Sequence, residues 1–387
     1  MLKKISFIII INIFLLIFIE FSIRFILKIS NLPQVYKISN IDSNKHDFLT
    51  GYYNIPNQKE NFVDNIYYQA TDKYGFNLDG KRKPIDLEKK DQNDYRIFIL
   101  GGSTAQGRNL KNKFDPISAR LEKKLNDRIK KNKNFFVINA GSTSFISSQE
   151  LSLIQNRIIY ALKPDLIIVI NGTNDATQIL SKEFYLSNSH TYQRKFQRSI
   201  NKNSKNFFYF IDDWFSKNIS TYFFVKKIIE KTTGVYLFEK EARENFKQTS
   251  QEFNSAEKKM FRYFYNNKIL SNISTKKIPI MVYFQPQMLP ENFDSLHEAD
   301  KLIYENHDKS SPNYFKEKQV FFKKISQNLK NNNKSLNNNY FFISDISKLL
   351  DHNNSDKSYY SDHAHYNPTS REIISEKIYN DIINKIF

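Results

Sequence analysis

The hydrophobic pattern changes character twice along the chain. From Ile5 to Ile19 every residue is apolar except Ser6 and Asn12, with Lys3 and Lys4 just before. As a helix this run spans ~22 Å, and extension to Leu27 reaches ~35 Å, against a hydrocarbon core of ~30 Å. The extension takes in Glu20 and Arg24, which at i,i+4 can pair on one helix face or snorkel toward the headgroups. A cleaved signal peptide is the rival reading. It wants a small-residue cleavage site, yet the first alanine of the chain is Ala70. The pattern predicts an uncleaved single-pass transmembrane anchor over residues 1–28, with the remainder expected on the extracytoplasmic side. Charge counting leaves the orientation open, because Arg24, Lys28 and Lys37 follow the segment while Lys3 and Lys4 precede it.

Residues 29–94 are polar and punctuated by turns at NLPQ, NIPN and NLDGKRKP, which predicts an irregular juxtamembrane segment. From Tyr95 the pattern becomes short apolar runs separated by helical stretches, the signature of βαβ units and a parallel sheet. The predicted strands are YRIFIL (95–100), FFVINA (135–140), DLIIVI (165–170), IPIMVYF (278–284) and YFFISD (340–345). Each is apolar on both parities, as strands buried on both faces are. Asp115 and Pro116 read as N-cap and first helical residue of a helix carrying Ile117, Leu121 and Leu125 on one face. Ser147 and Glu150 read as a capping box for a helix ending before Pro164. A last helix starts at Asn367-Pro368 with Ile374, Ile378 and Ile382 on one stripe. Residues 176–277 separate the third and fourth strands, far more chain than a βα unit needs. They predict a helical insertion in the form of a lid, with a helix near 254–271. The low-complexity stretch LKNNNKSLNNN (329–339) predicts a loop.

Composition changes this picture little. The 387 residues carry a net charge of +18, which suits an acidic partner, but the basic residues are scattered and form no helix or arm of the nucleic-acid-binding kind. No nucleic-acid partner is expected. The absence of cysteine removes disulfides and thiolate metal sites.

The chemistry gathers at the carboxyl ends of the strands, where open parallel sheets place their ligands. Gly101-Gly102-Ser103 follows the first strand, Asn139-Ala140-Gly141-Ser142 the second, Gly172-Thr173-Asn174-Asp175 the third, and SDHAHYNP, with Asp362 and His365, lies a little beyond the fifth. The first turn has the spacing of a phosphate loop from Gly102 to Gly107. However, Arg108 and Asn109 stand where the lysine and magnesium-binding hydroxyl would be, and G-x-G-x-x-G is absent. As a nucleophile, Ser103 needs a base, for which His365 is the candidate, and the base needs a carboxylate on its other ring nitrogen, for which Asp362 is. The Ser103 and Gly141 backbone N–H groups and the Asn174 amide are candidate oxyanion donors, with Gly141 allowing close approach to substrate.

These four blocks resemble the SGNH hydrolases, relatives of the GDSL esterases, whose motifs supply serine, glycine, asparagine and histidine in that order. Gly172 to Asp175 matches G-x-N-D and Asp362 to His365 matches D-x-x-H, whereas the usual G-D-S is Gly101-Gly102-Ser103 here. VINAGSTSFISSQEL, KPDLIIVINGTND, YFQP and TDKYGFNLDG further resemble a membrane-anchored bacterial branch. The resemblance implies a three-layer α/β/α sandwich of flavodoxin type. It implies a serine esterase with catalytic Ser103, Asp362 and His365 and an oxyanion hole of Ser103, Gly141 and Asn174. No cofactor and no metal is expected. The expected partners are an ester substrate, such as an acylated glycan or lipid, and the membrane. The same triad serves an O-acyltransferase, and a catalytically silent glycan-binding protein is the reading from another class. His363, His365 and Asp362 as a metal set lack an evident third ligand source. Asp175 reads as structural, His363 as a surface residue, and Gln285 and Gln287 carry no assigned role.

Overall fold

The computed structural model describes residues 2–29, 44–47, 50–63, 66–80, 86–129, 132–180, 214–215, 218–233, 256–310, 314–336, 339–350 and 357–387. The chain divides into two compact units: residues 1–42 with 194–253, and residues 43–193 with 254–387.

In the first unit, helix α1 covers Leu2–Ile29. Its side chains are described from Phe14 onward, and among the described residues no helix is long and apolar enough to cross a membrane. Phe14, Phe18, Phe21 and Phe25 are exposed. Glu20 and Arg24 pair at 2.7 Å, as their i,i+4 spacing predicts. Glu20 also accepts from the N–H groups of Ser220 and Thr221, the first residues of a further helix, Ser220–Thr233. A carboxylate at that helix start satisfies N–H groups that the helix itself cannot.

The second unit holds a five-stranded parallel sheet: β5 Asp94–Gly101, β6 Asn134–Asn139, β7 Leu166–Asn171, β8 Ile280–Phe284 and β9 Phe341–Asp345, in the order β6-β5-β7-β8-β9. This is the doubly wound flavodoxin-like order, with its switch point between β5 and β7. All five predicted strands are present. The fourth begins two residues later than expected, since Pro279 has no N–H to give the ladder. Alternation along β5 builds two cores: Ile97 and Ile99 face one, Phe98 and Leu100 the other.

Numbered in chain order, the helices of both units after α1 are α2 Ser103–Gln106, α3 Ile117–Arg128, α4 Ser147–Leu153, α5 Ile159–Ala161, α6 Thr173–Leu180, α7 Ser220–Thr233, α8 Ala256–Ile273, α9 Glu298–Ser310, α10 Tyr314–Leu336 and α11 Pro368–Lys385. A π-helical turn, Ile154–Ile158, joins α4 to α5. Ile117, Leu121 and Leu125 of α3 pack with Ile374, Ile378 and Ile382 of α11 against one sheet face. Leu153 of α4, Tyr263 of α8, and Phe321 and Ile325 of α10 cover the other. The three-layer arrangement expected from the sequence is therefore formed by residues that the hydrophobic stripes pick out.

Four local expectations are corrected. The segment 29–94 is not irregular throughout: its described residues include the antiparallel pairs β1 Asn44–Asp47 with β2 Gly51–Asn54, and β3 Asn61–Val63 with β4 Ile66–Tyr68. The stretch 329–339, expected as a loop, is helical as far as Leu336, where α10 ends, carried on by the buried stripe of Phe322, Ile325 and Leu329. Asp115 does not cap α3: Pro116 is the N-cap, with extended ψ of 151°, and Asp115 instead accepts from the Lys111 N–H. Ser147 opens α4 as its first helical residue after Ile146, and its hydroxyl goes to Asp175 rather than to a capping box. The helix expected near 254–271 is α8. The remainder of the expected insertion includes residues 181–213 and 234–255, which lie outside the described residues.

Candidate active site

β5 ends at Gly101, and Ser103 begins the four-residue helix α2. The serine is thus lifted off the carboxyl edge of the sheet at the switch point. As the first helical residue it carries one of the N–H groups that a helix leaves without an internal acceptor. His365 Nε2 lies 2.7 Å from Ser103 Oγ, and His365 Nδ1 lies 2.7 Å from both oxygens of Asp362. The serine, histidine and aspartate, 262 residues apart at the extremes, form one hydrogen-bonded chain. His365 is only 7% exposed.

Asp362 is held by more than its histidine. Its Oδ1 accepts from the N–H groups of Ala364 and His365, and its Oδ2 accepts from Asn109 Nδ2 at 2.7 Å. Burial alone would raise the carboxyl pKa. The hydrogen bond and charge of His365, with those backbone N–H groups, outweigh burial and hold it well below its ordinary value. Asp362 is therefore an ionised acceptor, which places the imidazole proton on Nδ1 and leaves Nε2 to accept from the serine hydroxyl. Asn109 is a functional residue that sequence reading missed. Its signal was the Gly107-Arg108-Asn109 turn, since Asn109 has φ +60°, a conformation asparagine tolerates better than most residues.

The candidate oxyanion donors fare differently. Asn174, the second residue of α6, approaches the serine turn so closely that a Cβ on Gly102 would sit 2.1 Å from Asn174 Nδ2. One amide proton of that nitrogen goes to Phe145 O at 2.8 Å, which fixes the side chain and leaves the second proton for the site. Glycine at 102 leaves room for this amide, since a Cβ there would force the Asn174 side chain to shift. Gly141 is a correction. Its N–H donates to Asn139 Oδ1 at 3.0 Å, so it is spent within the protein. The missing Cβ at Gly141 makes room for α2 and not for substrate, since a Cβ there would lie 2.5 Å from Gln106 N. Asn139 in turn donates to Asp79 and to the Gln106 carbonyl, so the segment before the sheet braces the nucleophile turn from behind.

Behind Asn174 lies a pair of buried carboxylates. Asp175 accepts from the Ser147 N–H and hydroxyl, and Glu150 accepts from Asn171 Nδ2 at 2.8 Å. Burial pushes both up, and for Glu150 the nearby Asp175 adds to it; Asp175 rises to about 6. His363 lies beside the triad, its Nδ1 4.0 Å from Asp362 Oδ1, but takes no part in the serine–histidine link. Its ring stacks on His307 at 3.8 Å with an interplanar angle of 7°, and burial, with His307 and Lys318 nearby, lowers its pKa to about 4. His365 has both ring nitrogens engaged by Ser103 and Asp362, so the two histidines of the H-x-H stretch have different partners.

No family model matches the chain, and no curated protein matches it. Solved structures give distant likenesses. An acetylxylan esterase of Geobacillus stearothermophilus is 10% identical, over 74% of this chain and 94% of that one, with a TM-score of 0.38. A lipase/acylhydrolase of Enterococcus faecalis is 11% identical, over 75% and 96%, with a TM-score of 0.36. A member of the lipolytic G-D-S-L family from Veillonella parvula is 12% identical, over 74% and 97%, with a TM-score of 0.34. At such TM-scores these likenesses carry no argument about this chain. What its own residues define is an α/β protein with a serine–histidine–aspartate chain at the carboxyl edge of a doubly wound sheet.

Proposed function

We propose that this protein is a membrane-anchored serine esterase of SGNH type that hydrolyses an ester, such as an O-acyl group on a cell-envelope polysaccharide, through an acyl-enzyme on Ser103. The observation that carries the reading is the Ser103–His365–Asp362 chain. Ser103 Oγ attacks the acyl carbonyl while His365 Nε2 takes its proton. The resulting oxyanion is met by the Ser103 N–H and the second amide proton of Asn174. His365 then gives the proton to the leaving alcohol as the tetrahedral intermediate collapses to the acyl-enzyme. Water, deprotonated by His365, attacks the acyl carbon, and the ester bond to Ser103 breaks to release the acid and restore the hydroxyl. Ionised Asp362 stabilises the imidazolium in both halves. The apolar run Ile5–Ile19 and the exposed phenylalanines of α1 support the anchor.

A fluorophosphonate probe should label the full-length chain at Ser103. Ser103→Ala should abolish labelling and lower kcat toward an activated acetyl ester on the order of 10⁶-fold if the triad acts as a unit. Near-normal turnover in that variant would discard the nucleophile. Free acetate should appear at the same rate with and without added glycan; acetyl transfer to glycan at its expense would replace hydrolysis by transfer. Alkaline washing of membranes should leave the protein membrane-bound, and release into the wash would remove the anchor.

A further inference from the structure

Gln285 and Gln287 follow β8 at the same carboxyl edge as the candidate site, and both are buried, at 3% and 1% exposure. The register sets Asn171 opposite Phe284, so the two glutamines emerge beside the turn that carries Asn174. Gln285 Oε1 accepts from the Thr104 hydroxyl at 3.4 Å, and its Nε2 donates to Tyr366 Oη at 3.2 Å. Tyr366 Oη donates onward to the Pro286 carbonyl at 2.8 Å. Gln287 Oε1 accepts from the Thr173 hydroxyl at 2.8 Å, and its Nε2 donates to the His363 carbonyl at 3.0 Å.

Every partner is the chain neighbour of a site residue. Thr104 follows Ser103, Tyr366 follows His365, Thr173 precedes Asn174, and His363 follows Asp362. Each amide spans two turns that come from different parts of the chain and have no covalent reason to stay in register. A buried primary amide is costly unless its oxygen and nitrogen are both used, so each glutamine favours the one spacing of turns that satisfies both ends.

We propose that Gln285 and Gln287 are positioning residues that clamp the base turn to the nucleophile and oxyanion turns: Gln285 ties the Ser103 turn to the His365 turn, and Gln287 ties the Asn174 turn to the same loop. The inference rests on the serine-esterase reading for its kinetic consequence, and on the hydrogen bonds alone for its structural one.

The test uses the full-length chain with Gln287→Met, Gln285→Met and the near-isosteric Thr173→Val, which removes one end of the Gln287 bridge. Toward an activated acetyl ester at a temperature well below unfolding, each should lower kcat ~10–100-fold with KM nearly unchanged, because displacement of reacting groups by about 1 Å costs that much. Combining Thr173→Val with Gln287→Met should add little beyond the larger single effect, since both break one bridge. Wild-type kcat in Thr173→Val and Gln287→Met, with only a lowered Tm, would reduce the glutamines to ordinary structure and overturn the proposal. A second readout needs no turnover: the low-field NMR resonance of the His365 Nδ1 proton should shift or broaden in Gln287→Met. If the wild type turns over no ester yet this resonance responds, the clamp stands and the esterase reading falls. If the wild type is active and neither kcat nor the resonance changes, the clamp falls alone.

Discussion

The two flanks of Ser103 use the same kind of side chain in opposite ways. On one flank Asp362 is partly exposed, accepts from His365, Asn109 and two backbone N–H groups, and is kept ionised. On the other, Asp175 and Glu150 are buried beneath Asn174 with few donors, and burial raises both. The difference lies in donors and solvent, not in residue type. A carboxylate given four donors stays charged and can stabilise an imidazolium, whereas one stripped of water pays for its charge. The first flank is built to respond to charge during a reaction. The second is built to hold Asn174 and the start of α4 in place.

The largest effect expected from this contrast is at Asp362. Asp362→Asn removes the charge and can favour the wrong imidazole tautomer, and should lower kcat ~10⁴-fold, by analogy with serine proteases. The matching Asp175→Asn should cost less than tenfold at temperatures where the fold is intact. Steady-state kinetics on both variants decide it, and equal losses would erase the distinction between the flanks.

Next comes the buried flank at the point where it touches the serine turn. Asn174→Ala should lower kcat ~10²–10³-fold and leave KM nearly alone, as loss of an oxyanion donor does. Gly102→Ala forces its Cβ against Asn174 Nδ2 and should cost part of the same factor. In an Asn174→Ala background Gly102→Ala should then be nearly silent. Independent, multiplying losses would show that the glycine serves some purpose other than admitting the asparagine.

The smallest effect is one of stability. Asp175 is raised from its ordinary 3.8 to about 6, so the fold pays for its ionisation. Its contribution is fully present below pH ~4 and is lost as pH rises through about 6, with Glu150 shifted in the same direction. Glu150→Gln should therefore be close to neutral at pH 4 and stabilising at pH 8, with kcat unchanged. Thermal melts across that range test the sign. A variant less stable than wild type at pH 8 would mean that the pair is ionised at no cost.

Much of this architecture was legible along the chain. Strands buried on both faces write themselves as unbroken apolar runs, and all five were readable within two residues. The stripes on α3 and α11 were equally plain, because helical periodicity is local. Ser103 and Asn174 stood out because each lies just beyond a strand, and Asp362 and His365 because they form a D-x-x-H pair in a polar turn downstream of the last one. The errors fell where a local signal met a distant competitor. Ser147 with Glu150 reads as a capping box until Asp175 takes the hydroxyl and Asn171 takes the carboxylate. Gly141 reads as a substrate-facing glycine until Asn139 takes its N–H and α2 fills its space. The asparagine-rich end of α10 reads as loop until the apolar stripe preceding it holds it helical.

By itself, then, the amino-acid order determined the five strands of the sheet and the helices α3, α8 and α11, that the sheet is parallel, and which side chains are candidates for chemistry. These follow from periodicity and turn preference over a few neighbouring residues. Only the tertiary structure decided which candidates meet. It set His365 at 2.7 Å from a serine 262 positions away, brought Asn109 to Asp362, withdrew Gly141, and joined the turns through Gln285 and Gln287. Hydrogen bonds act over ~3 Å with strict direction, and nothing in local sequence encodes which two distant turns the folding of a sheet will lay side by side.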